Sequence, residues 1–504
     1  MKKERRKAPK VSKKVEEAEK EPLDLLSFSK NEALTHLAST CQEILAHPGG
    51  KAGDIAELLQ LCYHPQLQKQ AILSLSLVFK DILPSKKVIE PNANATAGTK
   101  RKIGEEARLL AVYREFIDIL KNGTKKEHPT PLRCACLRAT GELIRARPEF
   151  NYRTDLVKIL IRGVNDKNDT VHLRSDAELT SLFAADALMY CTLDVCEEAC
   201  QFIKSRMESV HPDFLKLFMT IEVSPLVKDI DPAMSTIPRL RNKQKKRIGK
   251  SNVEKLEELR RAEEIERESH AKQDEQAKLD THTKIIQRLF VIFSRVIVQP
   301  SCPLLVGALM GYARFGHLVS TDYLISVLDV LGQLSTMELP THARFAALHT
   351  AATVLHATEG HLMQDMRQFY VSLYTALPYL PDLGDEDADQ AVRTVRLLLL
   401  SRKQMAVDRV TSFIRRILQV SLHCTKRSTA KALADLAGQL LLRYPPARVL
   451  LDTEHPVSSV YSGVGDDPDT ANGRCSLAWE LTAMARHQFK EVRDVRERIM
   501  TLKV

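Results

Sequence analysis

Apolar residues recur at steps of three and four along most of the chain, a spacing that commits it to α-helices. The clearest run is Val410, Phe413, Ile414, Ile417, Leu418, Ser421 and Leu422, which lines one face of a helix. Arg415 and Arg416 fall on the other face, read here as the solvent side. Leu67, Ala71, Leu75, Val78 and Ile82 repeat the pattern until Pro84 ends it, since proline lacks the N–H a further turn needs. The spacing resumes at Leu109, Val112, Phe116 and Leu120, and again at Leu132, Cys136 and Leu143 behind Pro129 and Pro131. Further helices are predicted over 154–163, 171–192, 195–208, 212–222, 303–315, 321–335, 340–357, 362–377, 386–402, 427–443 and 475–502, with an apolar helix at Ile285–Val298. The stretch 85–104 places Pro91 and Gly98 between Lys/Arg clusters and is predicted as a loop.

Composition supports the same class. Only 19 of 504 residues are glycine, below the average of roughly 7%, which leaves few tight turns for strands. Aromatics make up 5% with a single Trp, while hydrophobic residues reach 44%, enough for real cores. A chain of 504 residues is too long for one compact core. No strict repeat is present, so the expected fold is all-α: an irregular HEAT/armadillo-like helical solenoid in two units joined by a charged helical linker.

Charge and proline divide the chain. Residues 1–24 form a basic tail, 25–224 a helical domain, 225–283 a linker opening with Pro225, Pro232 and Pro238, and 284–504 a second helical domain. Residues 1–20 hold nine Lys/Arg against four Glu, and residues 239–250 hold seven Lys/Arg and no acid. These two short stretches outweigh the net charge of +10 carried by the whole chain. Lys2, Lys3, Arg5, Arg6 and Lys7, with Lys245, Lys246 and Arg247, match short basic import patterns. Arg239, Arg241, Lys243, Lys245, Lys246, Arg247 and Lys250 are candidate contacts to RNA phosphates, which attract cations without regard to sequence. Beyond them Glu257–Arg261, Glu263–Arg267, Glu268–Lys272 and Asp274–Lys278 are acid-before-base pairs one helical turn apart, each adding about 0.2–0.5 kcal/mol. Apolar residues are too sparse over 260–278 for a coiled-coil seam, so a solvated helix is expected there.

Enzyme chemistry finds no foothold. His342, His349 and His356 share a seven-residue spacing, but seven residues rise about 10.5 Å along a helix, and zinc holds its ligands within about 2.1 Å. The ten cysteines lack paired C-x2-C spacing and read as buried, reduced thiols. Gly249, Lys250 and Ser251 end like a phosphate loop, yet position 244 is Gln where that motif requires Gly. Gly463, Gly465, Asp466 and Asp467 lack calcium-loop spacing. No catalytic residue, metal site or cofactor is expected, and no secretory signal or membrane-spanning run is read. Asp466, Asp467 and Asp469 with Trp479 form a candidate partner-docking point. The competing reading, Trp479 as a core anchor beneath that acidic loop, is favoured because Trp is commonly buried.

Several motifs in fixed order carry a resemblance. They are Ser74–Pro84, Leu109–Leu120, Arg147–Arg153, the basic block running into Glu258–Glu263, Leu304–His317, Ala347–His356, Phe369–Tyr374 and the segment Asp466–Leu481. In this order the chain resembles the nucleolar complex-associated protein 3 family, whose C-terminal region is shared with the CCAAT-binding-factor family. The stretch His487–Lys490 departs from the family's usual final helix. The resemblance implies a nuclear and nucleolar assembly factor for the large ribosomal subunit. It implies pairing with a nucleolar complex-associated protein 2-like factor, travel on pre-large-subunit ribosomal particles and contact with pre-rRNA. A role on chromatin in DNA replication initiation is the alternative it leaves open, and a cytoplasmic helical adaptor is the third class.

Overall fold

The structure is a computed structural model that describes residues 28–47, 52–85, 87–88, 97–223, 276–357, 367–400, 405–452, 460–463, 465–475 and 477–502. Among these residues every regular element is a helix, and the fold is all-α. The chain separates into two compact units, Met1–Leu160 and Ile161–Val504.

The first unit contains α1 (Lys30–Ala46), α2 (Ala52–Leu59), α3 (Gln68–Ile82), α4 (Ala97–Gly123) and α5 (Thr130–Ala146), with the start of α6 (Arg153–Val164). The stripe predicted for α3 is its buried face: Ala71, Leu75, Val78 and Phe79 are inaccessible, and that face packs on α5. Phe79 stacks on Phe116 at 5.0 Å and meets Tyr113 at 5.3 Å, while Tyr113 meets Phe150 at 5.5 Å. Three of the sequence motifs therefore join here. Arg147 donates from Nε to the carbonyl of Leu83 at 2.6 Å and from Nη2 to that of Asp81 at 3.4 Å, satisfying carbonyls that the end of α3 leaves open. Asn151 brackets Val88, accepting its N–H at 3.0 Å and donating to its carbonyl at 3.2 Å. The loop expected over 85–104 is shorter than that, because α4 already begins at Ala97. The Lys, Glu and Ala residues that follow are strong helix formers and continue into the Leu109–Leu120 stripe.

The second unit holds α7 (Asp169–Ala185), α8 (Tyr190–Arg206), a 3-10 turn at Pro212–Thr220, and α9 over 276–297. It continues with α10 (Leu305–Phe315), α11 (Thr321–Thr336), α12 (Thr341–Ala357), α13 (Arg367–Ala376), α14 (Asp385–Leu400), α15 (Val407–His423), α16 (Arg427–Arg443), α17 (Glu480–Met484) and α18 (Lys490–Met500). Helices α10, α12, α14, α16 and α18 pack each on the next, and α11 packs on α13, with α12 against both. This alternation of helices between two rows is the helical-solenoid arrangement, in which each pair buries its apolar face on its neighbours.

Residues on both sides of the proline-rich stretch belong to the second unit. The Pro212–Thr220 turn lies on α10, where a Cβ at Gly307 would come within 2.8 Å of Leu215. The helix predicted over 171–192 is two helices. Met189 adopts a left-handed φ of 60°, and Asp186 accepts the Thr192 N–H at 2.8 Å to start α8. The helix predicted over 475–502 also breaks, since His487 turns the chain by accepting the Phe489 N–H at 3.1 Å. That break falls in the His487–Lys490 stretch.

Candidate partner-docking site

Helix α15 positions the C-terminal acidic segment. Its apolar stripe is buried as the spacing requires, but Arg415 and Arg416, expected in solvent, are only 2% and 4% exposed. The correction has a direct cause: residues 461–463, 465–475 and 477–480 lie across that face. Gly473 sits so close to α15 that a Cβ there would come within 2.4 Å of the Ser412 backbone nitrogen.

Each arginine finds a dedicated partner in or beside the covering segment. Arg416 donates to the carbonyls of Tyr374 (2.8 Å), Gly463 (2.6 Å) and Gly465 (3.0 Å), with its guanidinium 3.6 Å from the Tyr374 ring centre. Arg415 reaches Glu480 at 3.3 Å and lies 4.1 Å from the Tyr461 ring centre. Gln419 donates to the same Glu480 oxygen at 2.8 Å, and the Tyr374 and Tyr461 hydroxyls meet at 2.9 Å. Arg409 grips Asp469 with two parallel bonds of 2.7 and 2.6 Å, the fork geometry that arginine offers and lysine does not. Arg367 pairs with Asp467 at 2.6 Å. That guanidinium holds the Asp467 carboxyl below the usual carboxylate range.

The predicted docking residues thus divide. Asp467 and Asp469 are joined, the Asp469 N–H donating to Asp467 at 2.9 Å, and their charges are taken by Arg367 and Arg409. Asp466 is exposed. Trp479 is 55% exposed at the start of α17, so it is not the core anchor that its residue type favoured. Glu480, the next residue, is the anchor, with no exposed side-chain surface. The import residues Lys2, Lys3, Arg5, Arg6, Lys7, Lys245, Lys246 and Arg247, and the RNA-contact residues Arg239, Arg241, Lys243 and Lys250, lie outside the described residues.

The spaced histidines do not converge. His349 is half-buried on α12 with Nδ1 3.2 Å from the Thr394 hydroxyl, while His342 and His356 are exposed. Burial pushes the Cys136 thiol up to about 12 and the Cys200 thiol to about 11, far from the thiolate range that reactivity needs.

Comparison with known proteins fits this geometry. A profile of the CBF/Mak21 family matches residues 345–495, a span containing α15 and the whole segment it holds. A profile described as nucleolar complex-associated protein matches residues 32–116, covering most of α1 to α4. The human nucleolar complex protein 3 homolog is 27% identical over 500 residues, covering 90% of this chain and 60% of its own length. The Xenopus laevis homolog is 25% identical with 94% and 64% coverage, and the Schizosaccharomyces pombe nucleolar complex-associated protein 3 is 24% identical with 90% and 68%. The chain is thus similar to nucleolar complex protein 3 along nine-tenths of its length. Those relatives are named as nucleolar proteins. The chain spans about 60% of the length of the vertebrate relatives it matches. The arginine-held segment lies within the residues that the CBF/Mak21 profile matches, and Phe79 within those that the nucleolar complex-associated protein profile matches.

Proposed function

We propose that this chain is a non-enzymatic assembly factor for the large ribosomal subunit, acting as a helical scaffold in pre-ribosome maturation and intranuclear transport. One observation carries the reading: the two family blocks occur in family order on one chain, and curated nucleolar complex proteins align with about nine-tenths of it. A solenoid acts by offering faces to partners. The sequence blocks 25–224 and 284–504 supply those faces, one of them to a nucleolar complex-associated protein 2-like factor in a heterodimer. The basic blocks around Lys2–Lys7 and Arg239–Lys250 direct nuclear entry and touch pre-rRNA phosphates.

Depletion followed by pulse labelling of ribosomal RNA tests the reading. Large-subunit rRNA is expected to fail to mature while early small-subunit processing continues. Normal large-subunit maturation would overturn it in favour of a chromatin role in replication initiation.

A further inference from the structure

We propose that His172, His211 and Asp213 form a binding site for one divalent transition-metal ion of the zinc class. His172 comes from α7, and the other two open the Pro212–Thr220 turn, so the ion would tie these elements together. One ligand atom from each residue lies within 4.8 Å of the others. Around a tetrahedral zinc with bonds of about 2.0–2.2 Å, such atoms stand about 3.3 Å apart, within reach of small side-chain rotations. Two imidazoles and a carboxylate are the donor set of a zinc-class ion.

His172 is already set as a ligand. Its Nδ1 lies 2.5 Å from the Val164 carbonyl oxygen, which can only accept, so Nδ1 carries the proton and Nε2 the lone pair. A backbone carbonyl holding the far nitrogen is the usual support for a metal-bound histidine. The His172 and His211 rings stack with centres 4.2 Å apart and planes 28° apart. Packing alone would explain two stacked rings. The Asp213 carboxylate beside them adds a third donor of opposite charge, which ring packing does not require. Two existing contacts would adjust. Lys216 holds Asp213 Oδ1 at 2.7 Å, and the Asp213 N–H reaches His211 Nδ1 at a long 3.3 Å.

The test is a cobalt(II) titration of the full chain after chelator treatment. Cobalt bound by imidazole and carboxylate gives weak visible bands, whereas cobalt bound by any of the ten thiols adds intense near-ultraviolet absorption. The expected result is one saturable equivalent with visible bands and no thiolate band. Binding should weaken more than about tenfold in His211→Ala and Asp213→Asn. Both variants are checked first for unchanged helical circular dichroism, since they are less buried than His172; if either unfolds, the other carries the test. Absence of saturable binding, a thiolate band at one equivalent, or undiminished binding in a folded variant would overturn the proposal.

Discussion

Arg415 and Glu480 form an ion pair at 3.3 Å with 2% and 0% of their side chains exposed, sixty-five residues apart in sequence. Taking both charges out of water is costly, so the pair's effect is conditional: it holds α17 to α15 only while both partners are present. Glu480→Ala strands the Arg415 guanidinium in the core and is expected to destabilise the second unit by about 3–5 kcal/mol. The double change Arg415→Met with Glu480→Leu should recover most of that loss. Denaturant unfolding of the full chain measures both, and additive losses in the double variant would show that the two charges act separately.

Stability of the acidic segment should depend on acid. Asp467 is held below its ordinary pKa chiefly by Arg367, so its contribution is complete above the unfolded value near 4 and disappears as pH falls through the lower folded value. The melting temperature of Asp467→Asn should therefore lie slightly below wild type at pH 6 and converge with it below about pH 4. The gap is small because Arg367 is more than half exposed and well screened. A gap independent of pH would mean that Asp467 acts through its shape alone.

Phe79→Asp should unfold the first unit. The side chain is fully buried between Tyr113 and Phe116, and an unpaired carboxylate there costs several kcal/mol. Circular dichroism should show lost helix and an early melting step. A wild-type melting curve would contradict the packing around Phe79.

RNA affinity should fall steeply with salt and depend little on sequence, since single strands lose about 0.7 in logarithmic slope per neutralised phosphate. Reversing the charges of Lys243, Lys245, Lys246 and Arg247 is expected to flatten that slope. An unchanged slope in filter binding would move the RNA contact to another part of the chain.

Trp479→Ala should leave stability within about 0.5 kcal/mol, as exposed substitutions commonly do. Capture of a nucleolar complex-associated protein 2-like partner should nonetheless weaken. Loss of stability with unchanged capture would return Trp479 to a structural role.

Much of this protein was legible in residue spacing. The α3 stripe from Ala71 to Val78 and the α15 stripe from Val410 to Leu418 are buried where a 3.6-residue period puts them, because the period is a local property of the backbone. The chain punctuation at Pro84 and Pro129 was legible for the same local reason. The motif order was legible too, and it pointed to the nucleolar complex proteins that the chain resembles.

What only tertiary structure decided is which polar residues lose water. Arg415 and Arg416 stand opposite an apolar stripe, and nothing within a helical turn says that Tyr461, Gly463, Gly465 and Glu480 will cover them. Trp479 and Glu480 exchange the roles that their residue types suggest, since Glu480 meets a buried guanidinium and Trp479 stays exposed. His172 and His211 share no spacing motif, and they stack only because the Pro212 turn returns to α7. Apolar burial follows from periodicity. Burial of charge requires a partner, and that partner comes from a distant segment only after the chain has folded.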